Sequence, residues 1–151
     1  IAAWAQKVSE RGLDAAKELG LLTGGMMPRS FLAEDGQHPS FARLYGMVGH
    51  LTSDKYPPRT EWNVKHSDGT LIFGDTGSPG CKLTTRLCLK FDKPLVVVSW
   101  SSHRGLGGQV DNFRLWLDQF YISVLNVAGN RESSKPGIYQ ACREFLLEVL
   151  R

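Results

Sequence analysis

The chain has 151 residues, 42% hydrophobic and 22% charged, which suits one compact domain and excludes a disordered chain. Its apolar runs, such as Pro94 to Val98, fall far short of the roughly 20 residues that span a bilayer, so no membrane segment is expected. The formal net charge is only +3, and the basic residues are scattered rather than striped, which points away from nucleic acid.

Ile1 to Ala5 lack the basic start of a signal peptide and read as the end of a buried strand. Helical spacing of Val8, Gly12, Ala15, Ala16 and Leu19 predicts a helix from Val8 to Leu19, capped by Ser9 and stopped by Gly20. Leu21 to Met27 reads as a short strand interrupted by glycines. From Pro28 to Pro58 no period holds, and loops of this length are often functional. Thr60 to Val64 predicts the opening of a short helix. Thr70 to Phe73 is a strand buried on both faces, and the glycine-rich turn Gly74 to Gly80 follows it. Leu83, Leu87, Cys88 and Phe91 mark a helix that Lys93-Pro94 ends. Leu95 to Val98 is the clearest strand, and a polar loop runs from Ser101 to Gln109. Phe113, Trp116, Leu117 and Phe120 mark the next helix, and Val124 to Ala128 the next strand. After the loop from Gly129 to Lys135, Pro136 fits the first turn of a final helix with Ile138, Cys142, Phe145, Leu146 and Val149 inward. Strands alternating with helices predict one α/β domain over residues 1–151: a Rossmann-like, three-layer arrangement with a mostly parallel sheet of about five strands.

In such a sheet, ligands bind beyond the carboxyl ends of the strands. Three loops leave a strand and enter a helix there: Gln6 to Arg11, Thr76 to Thr85, and Gly129 to Pro136. In the middle loop Gly77, Pro79 and Gly80 leave the backbone approachable, and Thr76, Ser78, Thr84 and Thr85 carry hydroxyls. A helix start at this point favours a phosphate, although a plain tight turn accounts equally well for the glycines. The spacing matches neither the Walker nor the dinucleotide pattern. In the last loop Gly129, Asn130, Arg131 and Ser133 repeat the arrangement with a cation added. Arg131 either forks onto a phosphate or pairs with Glu132 or Glu144. Arg59 and Glu61 stand in a polar run beside Trp62, which reads as a solvated helix start or as a ligand contact. Cys81 sits at a helix start, which favours a thiolate, or serves as a small structural residue. His38, His50, His66 and His103 lack zinc spacing, and Cys81, Cys88 and Cys142 give an odd count without metal-like pairing. No disulfide scaffold is expected, and a reducing cytoplasm is the default.

Several stretches together resemble the putative molybdenum carrier family, a circularly permuted branch of the superfamily that includes the lysine-decarboxylase-like phosphoribohydrolases. They are Leu13 to Ala16 with Glu18 to Gly20, Thr23 to Gly25, and Ala33 to Gly36. Arg59 to Val64, Ser67-Asp68 and Thr70 to Phe73 follow, and then Leu125 to Gly129, Arg131 to Ser133 and Pro136 to Tyr139. The resemblance implies a circularly permuted Rossmann-like fold. In it the strand near Leu125 is central, flanked by the strands near Ala3 and Ile72. It implies a carrier of a phosphorylated small molecule, with molybdenum cofactor as the family-level ligand, in a cytoplasmic homo-oligomer. Two departures stand out. The family's S-G-G-Q-T-G turn corresponds to Ala3-Trp4-Ala5-Gln6-Lys7-Val8, which keeps only Gln6 and offers Lys7 as a replacement phosphate contact. The relatives' P-G-G-x-G-T-x-x-E glutamate has no counterpart after Thr84, Thr85 and Arg86. That favours binding over phosphoribohydrolase activity on nucleoside monophosphates. A nucleotide-sensing module remains a third reading.

Overall fold

A computed structural model describes residues 2–5, 9–33, 35–103 and 105–151, with backbone alone for 2–5 and 9–11. The readings placed on Gln6, Lys7 and Val8 therefore lie outside the described residues, as does the side chain of Ser9 on which its cap reading rests. In chain order the elements are β1 (Ala2–Ala5), α1 (Ser9–Glu18), β2 (Thr23–Met27), β3 (Leu32–Ala33), β4 (Gly36–Gln37), α2 (Phe41–Tyr45) and β5 (Met47–Gly49). They continue with α3 (Tyr56–Lys65), β6 (Gly69–Gly74), α4 (Pro79–Lys90), β7 (Leu95–Ser99), α5 (Gln109–Gln119), β8 (Val124–Gly129) and α6 (Ile138–Leu150).

The main sheet has six strands in the order β5-β2-β1-β8-β6-β7. Every pairing in it is parallel. The last strand in the chain thus lies at the centre, between β1 and β6, as the resemblance implied. The sheet has one strand more than expected because the aperiodic stretch from Pro28 to Pro58 contains β5, the small α2 and the two-stranded ribbon β3-β4. Among the described residues no helix is long and apolar enough to cross a membrane.

β6 is buried at all six positions, and its alternation divides the core between two faces. Leu71 and Phe73, with Leu125 and Val127 of β8, pack against Phe113 and Leu117 of α5 and Phe145 and Leu146 of α6. Phe145 sits with its ring centroid 5.5 Å from Phe73 and 5.3 Å from Phe113. On the other face Ile72 and Ala128 meet Cys81 of α4, and Val64 of α3 meets Leu87 and Cys88. These two helix layers and the sheet make the three-layer arrangement.

Two helices start differently from the sequence reading. α3 begins at Tyr56, four residues before Thr60, because Pro57 and Pro58 occupy its first turn, where a missing N–H costs nothing. α6 begins at Ile138 after Gly137 at φ +91°, which leaves Pro136 just outside it. Asn63 fixes α3 over the sheet. Its amide donates to the Met26 carbonyl at 3.0 Å and accepts from the Met26 N–H at 2.8 Å.

Candidate functional site

Since all six strands run parallel, their carboxyl ends share one edge, and α3, α4 and α6 all begin there. A cavity of about 240 Å³ opens between the first turns of α3 and α4. Tyr56, Pro57, Arg59 and Thr60 form one wall, and Pro79, Gly80, Cys81, Leu83 and Thr84 the other. Ala128 and Gly129, at the end of the central strand, close it below.

Arg59 dominates this cavity. It is 3% exposed, and its guanidinium lies over the Tyr56 ring, 5.0 Å from the centroid. Its Nε has no hydrogen-bond partner, and no carboxylate pairs with it among the described residues. Burial pushes its pKa down to about 10, Tyr56 opposes that fall, and the like charge of Arg131 adds to it. The group stays charged at neutral pH. A buried cation without a counter-charge is costly, and a second cation close by raises the demand for an anion.

The first turn of α4 adds donors, though fewer than its glycines and hydroxyls suggested. Pro79 has no N–H, and the Ser78 hydroxyl takes the Cys81 N–H at 3.2 Å. Gly77 donates to Asp75 Oδ1 at 2.8 Å. Gly80 is left with an N–H at the positive end of the helix dipole, on the cavity wall. The Thr84 hydroxyl donates to the Gly80 carbonyl and the Thr85 hydroxyl to the Cys81 carbonyl, both at 2.9 Å. Neither proton is therefore offered to a ligand. Thr85 also faces the other flank of α4, where Thr76, Pro79, Lys82, Thr85 and Arg86 line a wide cleft of about 570 Å³.

The loop after β8 is tied to the loop after β6. Asn130 accepts from the Asp75 N–H at 2.8 Å, and its Nδ2 stands 4.0 Å from Cys81 Sγ. A Cβ at Gly74 would meet Asn130 Oδ1 at 2.1 Å, and Gly74 sits at φ +114°, so only glycine fits there. Lys135 pairs with Asp75 at 2.8 Å. The Lys135 hydrogen bond and the Gly77 N–H hold the Asp75 carboxyl below its ordinary pKa range.

The start of α6 does not form an anion site. Glu132 accepts from the Gly137 N–H at 2.6 Å and the Tyr139 N–H at 3.0 Å, so a side-chain carboxylate already occupies that helix end. Glu132 therefore does not pair with Arg131, and Glu144 accepts from Gln140 instead. Ser133 remains on the exposed loop. Glu61 points away from the cavity toward Lys90, at 3.9 Å. Of the sequence-based candidates, Arg59, Gly80, Thr84 and Gly129 meet in the cavity, with Arg131 close enough to act on Arg59. Thr76 and Thr85 stand at the neighbouring cleft, while Gly77, Ser78 and Asn130 hold the loops. Tyr56 and Cys81 complete the walls; sequence reasoning assigned Tyr56 no role. Among the described residues no group of three or more His, Cys, Asp or Glu stands together as a metal site.

Comparison with known proteins agrees with this architecture. No curated protein matches the chain. A crystal structure named "Putative molybdenum carrier protein", from Syntrophus aciditrophicus SB, superposes with a TM-score of 0.88 at 30% identity. The match covers 99% of this chain and 94% of that one. The model of the circularly permutated YpsA SLOG family matches residues 5–150. With its carboxy-terminal strand at the centre of a parallel sheet, the chain belongs to the circularly permutated YpsA SLOG family.

Proposed function

We propose that the protein binds a phosphorylated small molecule, its phosphate seated in the cavity between α3 and α4 on Arg59 and the Gly80 N–H. The observation that carries this reading is the buried Arg59 guanidinium with an unpartnered Nε and no counter-charge among the described residues. A phosphate supplies that charge and takes the helix-end donor as well. Arg131, from the neighbouring loop, adds attraction from the rim. Lys7 and Gln6 are candidates for further contacts. The cavity of about 240 Å³ is smaller than the roughly 300–1,000 Å³ of pockets that enclose whole ligands. It therefore holds the phosphate end, and the body of the ligand extends outward past Pro79.

The structural relative is named as a molybdenum carrier, and the cargo we propose, from the family resemblance, is molybdenum cofactor. That cofactor carries a phosphate, and Arg59 and Gly80 fit that end of it. The protein acts here as carrier or sensor rather than as hydrolase, because among the described residues no carboxylate lines the cavity to activate a water. We also infer self-association through α5, where Leu115 is 66% exposed and Tyr121, just beyond the helix, 88%. Native mass spectrometry of freshly purified protein tests both points. A retained mass that phosphate displaces, on a dimer or larger assembly, is expected. A ligand-free mass that no phosphorylated compound shifts contradicts the binding reading.

A further inference from the structure

Resting on that reading of the cavity, we propose that the cleft on the other flank of α4 is a second anion subsite, with Lys82 and Arg86 as its cations. The ligand is then a small molecule with an anionic group at each end, lying across the start of α4 on Pro79. The placement of charge along α4 motivates this. The first turn of a helix favours acids and disfavours cations. α4 has no acid in its first turn. It has Lys82 there instead, as its fourth residue, and Arg86 one turn further on. Like charges at this spacing repel each other. Both side chains are exposed, and among the described residues neither forms an ion pair, since Glu61 pairs with Lys90 and Asp75 with Lys135. An anion between them reverses all three penalties at once.

Lys82 and Arg86 line the same cleft of about 570 Å³, together with Thr76 and Thr85, and among the described residues no carboxylate lines it. Pro79 borders both this cleft and the cavity that holds Arg59. Its ring is therefore an apolar saddle between two cationic ends. The two flanks of a helix lie about 10 Å apart, a span that a sugar-sized body covers. A phosphate seated on Arg59 and the Gly80 N–H leaves a second anion at that distance within reach of Lys82 and Arg86. The Thr76 hydroxyl adds a donor on the cleft side. The cavity is too small to enclose a whole ligand, and the cleft supplies both the space and the charge for its far end.

The test titrates the intact protein calorimetrically with fructose 1,6-bisphosphate, fructose 6-phosphate, pyrophosphate and inorganic phosphate. The bisphosphate carries its two phosphates at opposite ends of the sugar, whereas pyrophosphate carries two phosphoryl groups without the reach. One bisphosphate per chain is expected, bound about tenfold or more tighter than the monophosphate, as a further charge-assisted contact implies. Pyrophosphate should gain no more than about threefold over inorganic phosphate, since both of its groups stay on one flank. Lys82→Gln combined with Arg86→Gln should remove the preference, so that the two sugars bind alike. Arg86→Gln alone, expected to narrow the preference, provides the comparison should the double variant misfold. Equal affinity of the native protein for the two sugars overturns the second subsite. A preference that survives the double substitution overturns it too, as does a pyrophosphate gain as large as that of the bisphosphate. Two bisphosphates per chain would show the sites filled separately and overturn the bridging ligand. Binding of none of the four compounds overturns the anion cavity itself.

Discussion

Arg59 carries a charge where the fold would prefer none. An apolar side chain of similar length should make the ligand-free protein more stable, since a buried charge without a partner is a liability. Arg59→Met is expected to raise stability by about 1 kcal/mol or more, roughly 2–4 °C in Tm, and differential scanning calorimetry reads this directly. A lower Tm would mean that Arg59 holds the fold rather than a ligand. Arg131 is exposed, so screening limits its share, and Arg131→Ala should weaken phosphate binding only about two- to fivefold in a calorimetric titration. Little of this was visible at the level of residue type. The run Arg59 to Asn63 is polar apart from Trp62, and nothing in it says which polar side chain turns inward. The answer comes from Asn63, whose amide completes the hydrogen bonding of Met26 and so fixes the rotation of α3. Glu132 was equally hidden, because the N–H groups it caps lie five and seven residues further on.

Among the elements, β6 and β8 were legible because an apolar, partly β-branched strand flanked by turn residues has few other ways to bury itself. The ribbon β3-β4 and the five-residue α2 were not, since elements this short carry no period. The turn between β6 and α4 is the element on which the site depends. Gly74→Ala places a Cβ against Asn130 Oδ1 at a backbone angle that alanine avoids. A loss of about 2 kcal/mol or more is expected in urea denaturation. Asp75 ties the same turn to Lys135. Its carboxyl is depressed in the folded state, so its contribution is fully present above the unfolded carboxyl value near about 3.9 and is lost as pH falls through its own lower value. Asp75→Asn should therefore lower the denaturation midpoint at pH values near 6, and the difference should close below about pH 4. A difference independent of pH would show that the ion pair with Lys135 is not its source.

At the scale of the molecule, a parallel sheet places every strand's carboxyl end on one edge, and the helix starts that follow converge there. That placement was legible from the alternation of strands and helices. The central position of the last strand came from the family resemblance, because no local pattern records which strands lie side by side. The apolar residues Leu115 and Tyr121 belong to this scale too, since a second copy of the chain would cover them. Sedimentation at micromolar concentration should give a dimer or larger species, and Leu115→Glu should shift it to the monomer. A native monomer would contradict the assembly without touching the anion site.

The claim on which the account turns is that the cavity between α3 and α4 seats a phosphate on Arg59. Isothermal titration of ribose 5-phosphate into the native protein and into Arg59→Met tests it most directly. The account predicts saturable binding at one site per chain, weakened at least tenfold in the variant, as the loss of a charge-assisted bond of about 1.5–3 kcal/mol requires. Equal affinity in the two proteins, with the variant folded, would contradict it.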